Sequence, residues 1–187
     1  MFGRIILVQN TEDNVYTKIL ILYIFDAFGF PVTEETLLDF TSVNHNYISS
    51  LLCKSALEDN KGHEYIREIK PTMPRRDKFS LFELTEKGRQ CLDCFFDKIP
   101  KSVRSEIMQL IQRDQHNYKR LQEYRAEYSK NPDGSFCVSL KIYDGIILLS
   151  DLKIRVDKQA TATSLKNSWL VNAPIIYQKI NELIYDF

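Results

Sequence analysis

A chain of 187 residues can hold one large domain or two small ones and bury a sizeable core. Its composition, 44% hydrophobic and 27% charged, is ordinary for a globular protein, and no run approaches the roughly 20 apolar residues that a membrane span needs. Lys and Arg balance Asp and Glu at 25 each, which excludes a strongly basic nucleic-acid binder; any phosphate contact must come from a local patch.

The N-terminal patch Ile5-Ile6-Leu7-Val8 is too short for a secretory h-region, so a cytoplasmic protein with reduced thiols is expected. Apolar residues then run from Val15 to Phe28 with Gly29 behind them, too long for a strand and therefore a helix. Its segment Ile19 to Phe25 is apolar on nearly every side and must be covered on more than one face. A partner chain could supply part of that cover, which predicts a homodimer or tight interdomain packing. Thr33 caps a short helix, Glu34 to Phe40, whose first turn is acidic as the helix dipole favours. A polar turn, Thr41 to His45, leads to a third helix from about Asn46 to Asp59. Its expected buried stripe is Ile48, Leu51, Leu52, Ala56 and Leu57. Alternation over Glu64 to Lys70 predicts a strand, with Phe79 to Leu84 as its partner and Thr85 capping a fourth helix through about Phe96.

Pro100 marks a boundary, because the residue before proline resists helix. A helix from Ser102 follows, and near Gln122 the period changes from helical to two. Tyr124, Ala126 and Tyr128 alternate with charged residues, Asn131-Pro132-Asp133-Gly134 is a type I turn, and Phe136, Val138, Leu140 and Ile142 share one face. Asp144-Gly145 signals a second turn into Ile146 to Val156, giving a three-stranded meander; a helix continuing to Ser129 and leaving only a hairpin is the alternative. The tail from about Thr161 is helical, with Leu165, Trp169, Ile176, Ile180 and Leu183 on one stripe. Pro174 kinks or splits it, and Asn172 could cap the second piece.

The fold class is thus α+β: an N-terminal winged helix-turn-helix over residues 10–97, followed over 100–187 by an α-β-β-β-α unit with a small antiparallel meander, for dimerisation or sensing. In a helix-turn-helix the second helix of the motif offers its exposed side chains to base edges. Here the candidates are Asn44, Asn46, Tyr47, Ser49, Ser50 and Lys54, with Lys70, Arg75, Arg76 and Lys78 of the wing as phosphate contacts. The helix lacks Arg, the commonest guanine reader, and the part before Pro100 carries 12 Lys and Arg against 15 Asp and Glu, a net of −3.

Duplex DNA is the expected partner and a homodimer the expected assembly. No membrane contact is expected, and any small-molecule effector is undetermined. The alternative is a winged-helix protein-interaction module. Cys91 and Cys94 have metal-ligand spacing but no matching second pair, and His45, His63 and His116 have no partner spacing. With no Gly-rich phosphate loop, nucleophile elbow or H-E-x-x-H present, no enzyme, metal site or cofactor is expected. The cysteines read as small buried residues beside Leu92, Phe95 and Phe96. Trp169 reads as a core anchor, with Tyr143 and Tyr177 as possible company in a sensing pocket.

The core Ile19-Leu20-Ile21-Leu22-Tyr23-Ile24 and the segment Phe82-Glu83-Leu84-Thr85-Glu86-Lys87-Gly88 resemble an uncharacterised bacterial family of winged-helix-like proteins known as a domain of unknown function. Ile99-Pro100, Asp151-Leu152-Lys153 and Asn167-Ser168-Trp169 extend the resemblance over most of the chain. It implies a transcription-regulator-type protein and supplies no catalytic residues.

Overall fold

The computed structural model describes residues 11–70 and 79–185, with side chains described from residue 14 onward. The chain divides into two compact units, Met1–Gln115 and His116–Phe187, so the division falls inside a helix rather than at Ile99-Pro100.

In the first unit α1 (Thr11–Phe28) ends where Gly29 takes the left-handed conformation, φ +66°, which glycine adopts without penalty. After β1 (Val32–Thr33), Thr33 caps α2 (Glu34–Leu38): its Oγ1 accepts from the Thr36 N–H at 3.1 Å. Instead of ending in a plain polar turn, the chain continues through a π-helical turn, Asp39–Asn44. Within it the Thr41 hydroxyl donates to Leu37 O at 2.7 Å, while Thr41 O accepts from the N–H groups of Tyr47 and Ile48.

Those bonds, with Asn46 at φ +51°, keep residues 45–48 out of helix. α3 (Ser50–Gly62) therefore starts four residues later than expected, capped by Ser49. The later start changes its phase. Cys53, Ala56, Leu57 and Asn60 form the buried stripe, whereas Leu51 is 80% exposed and Leu52 is exposed too. The expected stripe was wrong at those two leucines. Leucine content misled there, because the inner stripe includes a polar residue: Asn60 Nδ2 donates to Lys18 O on α1.

Next, β2 (Ile66–Ile69) and β3 (Leu81–Leu84) pair antiparallel, Ile66 opposite Leu84 and Ile69 opposite Leu81. β1 adds to the other edge of β3, giving the order β1-β3-β2. Thr85 caps α4 (Glu86–Phe95) by accepting from the Gly88 N–H at 3.0 Å, and its hydroxyl donates to Glu64 O at 2.7 Å. Gly88 is required by packing rather than by φ: a Cβ there would overlap Tyr65 O and lie 2.8 Å from Leu84 Cδ1. A 3-10 turn, Phe96–Lys98, precedes α5 (Lys101–Glu123). The cysteines of α4 depart from their expected burial: Cys94 is exposed and Cys91 half-buried.

All seven residues from Ile19 to Phe25 are buried. Their cover comes from α3, α4, β3 and the 3-10 turn, with Tyr23 Oη donating to Arg104 O of α5 at 2.9 Å. Since its own unit covers α1, that helix gives no ground for expecting a partner chain.

In the second unit β4 (Tyr124–Lys130), β5 (Phe136–Asp144) and β6 (Ile147–Val156) form the meander, order β4-β5-β6. Its first turn is held by Asn131 O accepting from the Gly134 N–H, with Gly134 at φ +89°. A bulge between Ile142 and Tyr143 breaks the register, and both side chains are buried. Val138, Leu140 and Ile142 pack against Ala162, Trp169 and Ala173 of α6 (Gln159–Tyr185). Trp169 is a core anchor whose Nε1 donates to Lys141 O at 3.3 Å. The helix runs through Pro174 unsplit, and Asn172 caps nothing: its Nδ2 donates to Ser168 O within the helix. Leu183, expected in the buried stripe, is 68% exposed. No helix among the described residues is long and apolar enough to cross a membrane.

Candidate nucleic-acid interface

α3 and the segment leading into it carry most of the candidate base-reading residues. Asn44 ends the π-helical turn, exposed, and Asn46 follows in its left-handed conformation, also exposed. Ser49 is committed to capping, its Oγ accepting from the Leu52 N–H at 3.4 Å. Ser50 and Lys54, four residues apart on one face of α3, are exposed together with Leu51, Ser55 and Glu58.

Tyr47 departs from its expected place. It is half-buried, its ring 6.0 Å from both Phe40 and His45, and its phenolic oxygen is enclosed. Burial, and then Glu106, push that phenol well above its ordinary pKa. The residue is therefore turned inward and does not join Ser50 and Lys54. His45 beside it is held below the usual imidazole range by burial and then by Arg113.

Available positive charge is sparse in this region. Lys54 pairs with Glu34 at 3.2 Å, and Lys61 with Glu58 at 2.9 Å and Glu68 at 3.4 Å. Arg67 pairs with Glu83, and Lys70, exposed just past the end of β2, stands 4.0 Å from Glu68. The Ser80 hydroxyl, donating at 2.6 Å, together with Lys61 and Lys70, keeps the Glu68 carboxyl ionised below the usual range. Apart from the half-buried Lys61–Glu68 pair, these contacts are exposed and each worth under about 1 kcal/mol, so a phosphate could displace them, but they lower the local potential. Arg75, Arg76 and Lys78 lie outside the described residues.

Two features escaped sequence reading. Val43 is 71% exposed on the π-helical turn and, with Leu51 and Leu52, puts apolar side chains near the polar candidates. Nothing local announced it, since both leucines fit a helical core stripe. The second is a groove on α5 at Lys101 and Arg104. A first helical turn without acids but with two cations runs against the dipole preference, a signal present in the sequence. Among the described residues no group of three or more His, Cys, Asp or Glu is placed to hold a metal ion.

Residues 17–184 match the family described as a domain of unknown function, DUF4364. The chain belongs to that family. The match spans nearly all of both compact units, so the meander with α6 is as much part of the family's domain as the helices before it. It bears out the resemblance to a family of unknown function, and assigns neither a DNA-binding fold nor a regulatory role. No curated protein and no solved structure matches the chain.

Proposed function

We propose that the protein is a transcriptional regulator that binds duplex DNA through a winged helix formed by its first unit. One observation carries the reading: the outer face of α3, Ser50, Lys54 and Ser55, is open to solvent, and the helix is followed directly by the antiparallel ribbon β2–β3. The order α1-β1-α2-α3-β2-β3 with strand order β1-β3-β2 supports the same reading, as do Arg75, Arg76 and Lys78 in the segment joining the two strands. In this reading α3 enters the major groove with Asn46 and Ser50 near base edges, and the ribbon's cations contact phosphate.

Binding of the full chain to mixed-sequence duplex, followed from low to moderate salt, tests it. A regulator binds with a negative slope of log affinity against log salt, and Arg75→Ala with Arg76→Ala lowers that slope by about one unit each. No binding even at low salt would remove the proposal. Assembly as a homodimer would set two α3 helices against two half-sites, but it would have to form through surfaces other than α1.

The second reading is a winged-helix module that docks on another protein, favoured by exposed Val43, Leu51 and Leu52, since interface cores are apolar and depleted of charge. Leu51→Ser separates the two. It leaves the salt slope of a DNA binder unchanged and weakens an apolar protein contact.

A further inference from the structure

Within the first unit, α5 runs past Tyr23 of α1 and Phe96 of the 3-10 turn, leaving an open groove of about 410 Å³. That volume lies in the range of small-molecule sites. Its lining is amphiphilic. Tyr23, Phe96 and Met108 supply aromatic and thioether surface, Gln109 an amide, and Lys101 and Arg104 two cations three residues apart on one helix face.

The Arg104 side chain is held in place. Its guanidinium carbon sits 3.9 Å from the Phe96 ring centroid, a stacked cation–π contact, and the ring in turn meets Tyr23 edge-on at 6.0 Å. Its Nη2 reaches only the solvent-exposed Asp97, at 3.9 Å, and its Nε is enclosed with no acceptor among the described residues. The Nε is shut off from solvent, so a ligand in the groove would meet the accessible remainder of the guanidinium. Lys101, exposed at the mouth of the same groove, makes no ion pair among the described residues. The groove thus presents two positive groups beside apolar surface, with an acid near Arg104 whose carboxylate is in water.

We propose that this groove binds a small organic monocarboxylate, the carboxylate between Lys101 and Arg104 and a short aromatic or aliphatic body on Tyr23, Phe96 and Met108. The site is independent of the duplex-binding reading. A planar carboxylate suits a guanidinium held flat by stacking, and a body of about ten carbons suits the volume. Because the groove is open, affinity is modest. At the ligand efficiency of ordinary small molecules, an anion of about twelve heavy atoms binds in the millimolar range.

The test uses the full chain with ¹³C-labelled methionine methyls: the chain has three methionines, Met1, Met73 and Met108, and among the described residues Met108 lines the groove. Titration with 4-phenylbutyrate should move the Met108 methyl resonance saturably, with a Kd of about 1 mM. The uncharged 4-phenylbutan-1-ol, smaller by one oxygen, should bind about tenfold more weakly. Lys101→Gln, a surface change that leaves the fold alone, should weaken phenylbutyrate about two- to fivefold, and Arg104→Gln should weaken it more. The proposal is overturned by a Met108 signal unmoved through about 20 mM, a linear response shared by all three methyls, equal binding of the alcohol, or an unchanged Kd in Lys101→Gln.

Discussion

α1 and α6 are both largely apolar around their circumference, yet their surroundings differ. Around α1 the first unit buries every residue from Ile19 to Phe25, and Phe28 beyond them. Around α6 one stripe, Ala162, Trp169 and Ala173, enters the core of the second unit. Val171 and Ile175, one turn apart and close to opposite Ala173, stay largely exposed, as do Leu183, Ile184 and Tyr185 in the last turns. Hydrophobicity without periodicity therefore demands cover but does not say who provides it. In α1 three helices, a strand and a turn of the same unit do so; along α6 a three-stranded sheet covers one side.

The sharpest way to break this comparison is to truncate both helices. Phe28→Ala removes a fully buried ring in edge contact with Phe30 and Phe40, and should lower stability by about 3–5 kcal/mol in urea unfolding. Ile175→Ser should stay within about 0.5 kcal/mol of the parent. If self-association uses α6, that change lowers the solution mass instead; similar destabilisation by both variants would show that α6 is as fully covered as α1.

Gly88→Ala should be next in size, at about 3 kcal/mol, because the new methyl meets backbone at Tyr65 rather than a yielding side chain. Thermal unfolding measures it, and a change below about 0.5 kcal/mol would mean that α4 can shift away from β2 at little cost.

The smallest effect is electrostatic. The folded state holds His45 below its ordinary pKa, so the unfolded chain takes up a proton more readily as pH falls through about 6.5. Its contribution to stability is complete above that value and declines with acidification toward the folded pKa. Between about pH 7.5 and about pH 5.5 the urea midpoint of the parent should fall more than that of His45→Gln. Parallel profiles would show that His45 titrates alike in both states.

Local chemistry explains which features could be read in advance. Thr33 and Thr85 cap their helices through bonds to residues three positions on, and Gly29 and Gly134, read as a helix end and a turn, both have positive φ. The change of period near Gln122 marks the passage from α5 to β4, and the alternation of Phe136, Val138, Leu140 and Ile142 gave the inner face of β5. Failures began where a distant group held the backbone. Bonds from Tyr47 and Ile48 to Thr41 delayed α3, which turned Leu51 and Leu52 outward and Tyr47 inward. The candidate face lost Tyr47 by that route and kept Asn44, Asn46, Ser50 and Lys54.

From sequence alone came the order of the longer helices and strands, though not β1 or the π-helical turn, most of the caps and turns, and the pattern that places the chain in its family, because each depends on residues within a few positions of one another. Tertiary structure decided the rest: that α1 is sheltered by its own unit, that apolar side chains stand among the polar candidates of α3, and that Arg104 stands over the Phe96 ring in a groove that Lys101 also lines. These depend on surfaces brought together from far along the chain, and the exposure of a side chain is a property of what packs beside it rather than of its own chemistry.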